Sequence, residues 1–310
     1  MMIYTLTLNP ALDVELTVET LTYNQVLQAL NTRTDCGGKG FNVSRALAAL
    51  GQASTALGFI GGGIGQRLKE GLRQMGISTD FVVVSDETRI NVSIVTDPSS
   101  DYFKVNQPGP TIKDEEAEAL YQKVQTLSQP CDTWVLSGSL PPGVATDIYA
   151  QIIHTVQTRG AKTLLDTSGE PLRMGCKARP FAVKPNTVEA QHLTGIEIDD
   201  IDTARIAAEE IHSQGIPVVI LSLGKDGALL SHSEGTLLAT PPTIQEHNPI
   251  GTGDALVAGV VWGLERNLSI DEILRWGVAS GAAAASLPGT GVGSHEQVME
   301  LEKEISITSL

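Results

Sequence analysis

The sequence predicts an α/β fold built on a mostly parallel sheet with helices packed on both faces. Two observations carry this expectation. Short apolar runs rich in Val, Ile and Leu alternate along the chain with longer helical patterns, and such alternation joins parallel strands through helical crossovers. The strand runs are also too continuously apolar to have one wet face, as strands covered on both sides must be.

In chain order the strand candidates are IYTLTL (3–8), STALGFI (54–60), TWVLSG (133–138), KTLLD (162–166), FAVKP (181–185) and VVILSLG (218–224). The helix candidates are NVSRALAALG (42–51), DEEAEALYQKVQTLSQ (114–129), DIYAQIIHTVQTRG (147–160) and DTARIAAEEIHSQG (202–215). Gly160 and Gly215 suit left-handed caps after polar last turns. One region breaks the rhythm. Residues 89–105, RINVSIVTDPSSDYFKV, read as two strands around an Asp-Pro-Ser-Ser turn with no helix between them. A hairpin there implies a flap separate from the main sheet. No repeat and no linker rich in Pro, Gly or Ser divides the chain, so a single domain over 1–310 is expected.

Composition restricts the partners. The 310 residues include 41% hydrophobic side chains, enough for a substantial core. A formal charge of -15 argues against nucleic acid and anionic membrane, which need a basic face. An anionic ligand must then be held by a local cluster of positive groups. Cys36, Cys131 and Cys176 lack paired metal or redox spacing and read as buried small hydrophobes in a reducing compartment. No apolar run approaches the ~18 residues of a membrane span, and the start MMIYTLTLNP lacks a signal peptide's basic residues; a cytoplasmic protein is expected.

The stretch GTGDALVAGV (251–260) places two glycines and a carboxylate at the start of an apolar helix. A dinucleotide fingerprint would need a third glycine at Leu256, and GFIGGGIGQ supplies no complete register either. GGKG is not a P-loop, because Gly40 stands where Ser or Thr is needed and Arg33 where the first glycine is needed. What remains is general physics. Gly251 and Gly253 can turn backbone N–H groups toward one point, and the helix adds the positive end of its dipole. Asp254 alone would serve as well as a helix cap. Ala255, Gly259 and Gly263 share a face small enough for close helix packing. CGGKGFNVSRALAALG has the same grammar, with Lys39 in the loop and Asn42 in the first turn.

Read together, TLNPALD, GGKGFNVSRALAALG, TRINVSIV, QPGP, SGSLPPG, DTSGE, KPNTVEA, SLGKDGALL and GTGDALVAGV come in one family's order. The chain resembles the ribokinase-like, PfkB-type carbohydrate kinases over nearly its whole length, in particular the phosphosugar branch of 1-phosphofructokinase and tagatose-6-phosphate kinase. The resemblance implies a ribokinase-like three-layer αβα sandwich with a small β-lid, formed from parts of 13–36 and 89–105. It also implies ATP as phosphoryl donor, Mg2+ as cofactor and a phosphosugar acceptor.

On the same resemblance, Asp254 matches the general base, and Gly251, Thr252 and Gly253 match the anion hole over the transferring phosphoryl group. Asp13, Gly37, Gly38 and Asn42 match sugar contacts, Ser139 can add a hydroxyl donor, and Lys39 and Arg89 are the cations placed near the substrate phosphate. Lys184, Asn186, Ser222, Gly224 and Gly227 match the nucleotide side. Glu189 completes an Asn-x-x-Glu pattern tied in the family to magnesium through water. Two departures stand out. Thr252 replaces the usual Ala without removing an N–H group, and Gln25, Val26 and Leu27 are uncharged where the phosphofructokinase branch carries a basic residue, leaving Lys104 as a candidate replacement. The expected reaction is fructose 1-phosphate to fructose 1,6-bisphosphate, with tagatose 6-phosphate and fructose 6-phosphate as alternative acceptors and a homodimer through the lid as the expected assembly. A sugar-phosphate sensor without catalysis fits less well, because both glycines and Asp254 are present.

Overall fold

The computed structural model describes residues 1–96, 102–245, 247, 250–287, 289 and 291–310. The first part of the chain contains β1 (Ile3–Thr7), β2 (Ala11–Val18), β3 (Asn31–Gly37), α1 (Lys39–Ala49), β4 (Thr55–Gly61) and α2 (Gly62–Gln74). Next come β5 (Ser78–Thr79), β6 (Val82–Val84), β7 (Arg89–Thr96), β8 (Tyr102–Asn106), α3 (Asp114–Leu127), β9 (Thr133–Ser137) and α4 (Ile148–Thr158). They are followed by β10 (Lys162–Asp166), α5 (Gly169–Lys177), β11 (Ala182–Val183), α6 (Thr187–Thr194), α7 (Ile201–Ser213) and β12 (Val218–Ser222). The chain closes with β13 (Ala228–His232), β14 (Gly235–Thr240), α8 (Thr252–Glu265), α9 (Ile270–Ala285), α10 (His295–Glu302) and β15 (Ser306–Ser309).

The main sheet has the order β15-β14-β13-β12-β11-β10-β9-β1-β4-β5, with β6 also on β4. From β12 to β5 every pairing is parallel, and β13, β14 and β15 continue it antiparallel at one edge. Alternation along each strand feeds two cores. Tyr4, Leu6, Trp134 and Leu136 face α3, α4 and α7, whereas Ile3 and Val135 face α1, α8 and α9. All six apolar runs supply main-sheet strands. FAVKP is strand only at Ala182–Val183, because its chain turns at Lys184-Pro185 into α6. Cys131 departs from the expectation of three buried cysteines. It is exposed, in a left-handed turn (φ 68°) that leads into β9.

Close packing brings α8 to its place. A Cβ on Gly259 would stand 2.3 Å from the Trp276 carbonyl oxygen and 2.5 Å from Ser280 Oγ, so only glycine lets α8 and α9 approach this far. Gly263 passes Ile273 with a little more room, a Cβ there standing 3.1 Å from Ile273 Cγ1.

A second sheet, ordered β3-β2-β7-β8, stands apart from the first. β2 pairs antiparallel with β3 and parallel with β7, and β7 pairs antiparallel with β8. The Asp-Pro-Ser-Ser turn between β7 and β8 lies outside the described residues, as do Asn248 and Pro249 ahead of α8.

Candidate active site

Parallel strands end in polar residues on one edge of the main sheet. Register sets Thr7, Ser137 and Asp166 side by side at the carboxyl ends of β1, β9 and β10. All three are buried, and Thr7 Oγ1, Ser137 Oγ and Asp166 Oδ2 have no hydrogen-bond partner. Buried polar atoms left open at a strand edge mark a place built to receive a polar ligand.

Two helices point their N-termini at this edge. α1 starts after Gly38 (φ 138°) and α8 after Gly251 (φ 85°), and among the described residues neither has a side-chain cap. The positive ends of both helix dipoles are thus turned toward an anion. The helices are tied together where they begin: Asn42 Nδ2 donates to Asp254 Oδ2 at 2.8 Å. Lys39, expected in the loop, is the first residue of α1.

Asp254 is buried in the first turn of α8. Burial, reinforced by the charge of Asp166, raises its carboxyl to about 6, while Lys39, Asn42 and Lys184 pull the other way. A carboxylate held near neutrality is suited to taking a proton at physiological pH. Asp166 was not singled out by sequence reasoning, although DTSGE was. It lies between two ammonium groups, with Lys39 Nζ at 3.0 Å and Lys184 Nζ at 3.2 Å from its Oδ1. Burial alone would raise its pKa, but Lys184 and Lys39 reverse that and keep it ionised. Burial likewise opposes the charge of Lys39, and the carboxylates of Asp166 and Asp254 outweigh it, holding the ammonium above its usual range. Lys184 also approaches α8, 3.4 Å from where a Gly253 Cβ would stand.

The second sheet carries the remaining candidates. Asp13 on β2 accepts from Asn91 Nδ2 at 2.8 Å, and Gly37 gives it room, because a Cβ there would sit 2.3 Å from the Asp13 carboxylate. Burial raises the Asp13 pKa, against the hydrogen bond of Asn91 and the charges of Lys104 and Arg89. Arg89 donates to the carbonyls of Gln107 and Asn9, each at 2.9 Å, which fixes its guanidinium between the sheet and the β1–β2 turn. Lys39 and Arg89 therefore answer to different neighbours, Asp166 and Asp254 for the first and Asp13 for the second. Ser139 is exposed beyond Gly138, whose amide bonds the Asp166 carbonyl.

Asn186 and Glu189 form a reciprocal capping box at the start of α6, each side chain bonded to the other's backbone N–H. Asn186 forms a parallel bridge with Ser222 at the end of β12. Gly224 (φ 63°) opens onto free space, whereas a Cβ on Gly227 would strike the Ala239 carbonyl at 1.9 Å, so Gly227 is needed for packing on β14. The carboxyl edge of the sheet thus carries an uncapped helix, a buried carboxylate near neutrality and a pair of lysines.

The model of the pfkB family carbohydrate kinases matches residues 7–297. The chain belongs to this family. It is 38% identical to the 1-phosphofructokinase of Bacillus subtilis over 309 residues, covering 100% of each chain. It is 32% identical to a tagatose-6-phosphate kinase of Staphylococcus epidermidis, covering 99% of each. Among solved structures, Escherichia coli phosphofructokinase-2 in complex with fructose-6-phosphate superposes with a TM-score of 0.92 at 32% identity, covering 98% of each chain. The fold is accordingly ribokinase-like, and the chain is a carbohydrate kinase.

Proposed function

We propose that the protein transfers the γ-phosphoryl group of ATP to the C6 hydroxyl of fructose 1-phosphate, giving fructose 1,6-bisphosphate and ADP. The observation that carries this reading is Asp254, buried in the first turn of an uncapped helix and fixed by Asn42. The full-length likeness to a 1-phosphofructokinase supports the acceptor.

The chemistry follows from the side chains. Asp254 takes the proton of the acceptor hydroxyl as that oxygen bonds to phosphorus and the bond from phosphorus to the ADP oxygen breaks. Charge on the phosphoryl oxygens is met by the N–H groups of Gly251, Thr252 and Gly253 and by the α8 dipole. Asp13, Gly37, Gly38 and Asn42 hold the sugar, with Ser139 as a further hydroxyl donor. Arg89 serves the acceptor's own phosphate, and Lys104 on β8, across from Ser93 on β7, adds positive charge to the same sheet, whereas Lys39, paired with Asp166 and drawn by Asp254 and Glu189, serves the transfer end. Lys184, Asn186, Ser222, Gly224 and Gly227 line the nucleotide side.

The residues present fit a magnesium ion that keeps most of its own waters. Asp166 Oδ2 is buried without a partner and Glu189 stands nearby, close enough to influence Lys39. Among the described residues no cluster of three metal-ligating side chains exists, so ATP phosphates and water would complete the shell. When bound, magnesium would neutralise charge on the transferring phosphate.

The second sheet serves as the lid. Its residues Asp13, Asn91 and Arg89 face the site, while register puts Val14, Leu16, Val92, Ile94, Phe103 and Val105 on its other face. Phe103 and Val105 are exposed, as are Tyr23, Val26 and Leu30 nearby. An apolar lid face of this kind supports a homodimer through the lid. Three free thiols fit a reducing cytoplasm.

Catalytic efficiency measured side by side on fructose 1-phosphate, fructose 6-phosphate and tagatose 6-phosphate tests the acceptor. A preference for fructose 1-phosphate is expected; a clear preference for either 6-phosphate would overturn the assignment and leave the kinase mechanism standing.

A further inference from the structure

The lid reaches the core at a second place, away from the sugar-contacting residues. Arg33 on β3 lies opposite Glu15 of β2. Its guanidinium is held by Asp35 (Nε to Oδ2, 2.9 Å) and by Glu15 (Nη2 to Oε2, 3.7 Å). The tip of the same fork rests on Gly289, where a Cβ would stand 2.0 Å from both Nη1 and Nη2. Gly289 has φ 63° and follows α9. The helix that leads to Gly289 touches the start of α8 at two points. A Cβ on Gly281 of α9 would lie 3.3 Å from the Thr252 carbonyl, and Ala285, the last residue of α9, accepts the amide of His247 ahead of α8.

Exposed ion pairs contribute little by themselves, so the pairing of Arg33 with Asp35 and Glu15 does not explain the residue. What those carboxylates do is hold a planar fork in one orientation, and that orientation is the one in which it meets the core. A Cβ at position 289 would push the guanidinium tip aside and strain a backbone held at φ 63°, so the contact is lost when either residue is changed.

We propose that Arg33 is a positioning residue that pins the lid to the core at Gly289 and so keeps water from the donor phosphate during transfer. The proposal rests on the kinase reading above. Without the pin, a water oxygen bonds to phosphorus in place of the sugar oxygen, its proton passes to Asp254, the bond to the ADP oxygen breaks, and the products are ADP and inorganic phosphate.

The test is a double-mutant cycle with Arg33→Met, Gly289→Ala and both together, read in two ways. Hydrogen exchange of the β2 and β3 amides in the ligand-free protein reports the pin itself, and ADP formed per fructose 1,6-bisphosphate reports its consequence. Each single variant is expected to speed lid exchange and to raise the ADP ratio on the order of ten-fold, with the double variant no worse than the more affected single one. Unchanged exchange in Arg33→Met, or single effects that multiply in the double variant, would overturn the proposal. A wild-type protein that makes no bisphosphate from fructose 1-phosphate would refute the acceptor assignment instead, and the exchange data would still decide the pin.

Discussion

Replacing Asp254 with Asn separates the demands of catalysis from those of folding. Asn keeps an oxygen that accepts from Asn42, so the 2.8 Å link between α8 and α1 survives while proton acceptance is lost. Loss of a general base lowers turnover by about a hundred- to ten-thousand-fold. Stability moves the other way. The folded protein raises the Asp254 carboxyl from 3.8 to about 6, mainly by burying it. A raised carboxyl favours the folded state when protonated, so the native protein loses stability as pH rises through that window. The gap between 3.8 and about 6 is worth roughly 3 kcal/mol at full ionisation. The Asn variant escapes this cost, because it carries no charge at any pH. In urea unfolding the two proteins should match below pH ~4, and the variant should be more stable by up to roughly 3 kcal/mol above pH ~7. A stability difference that does not change with pH, or activity within a few-fold of wild type, would refute the assignment of Asp254 as a buried, strained base.

Three other expectations follow from the same geometry. The acid limb of kcat/KM should fall near pH 6, and Asp166→Asn should move it downward, because the charge that helps raise Asp254 is removed; a limb that stays in place would show the two carboxylates to be independent. Arg89→Met should raise KM for the phosphosugar strongly and leave that for ATP nearly unchanged, and equal damage to both would place Arg89 at the wrong end of the cleft. Gly259→Ala should destabilise by roughly 1–3 kcal/mol in urea unfolding, because the new methyl meets the Trp276 backbone rather than a side chain that can move; a more stable variant would contradict the packing of α8 on α9.

The parallel core was legible because its strands are buried on both faces and need no partner to be recognised. The antiparallel edge was not. ALLSH and GTLLAT are joined at Ser233-Glu234 with no turn signal of the Asn-Gly kind, and two-residue strands such as β5 leave no pattern at all. In the site, Asp254 and Asn42 were each readable from glycine-rich helix starts, but their hydrogen bond joins residues 212 apart and only the fold creates it. Asp166 escaped notice because a carboxylate that ends a strand resembles any loop boundary. Its meaning comes from Lys39 and Lys184, which different elements bring to the same oxygen.

Phosphorus NMR of the product formed from ATP and fructose 1-phosphate tests the central claim most directly. Stoichiometric fructose 1,6-bisphosphate, with a new phosphate monoester on C6 and ADP released in equal amount, is the predicted result. ADP accompanied only by inorganic phosphate, or no turnover with any phosphoketohexose, would contradict it.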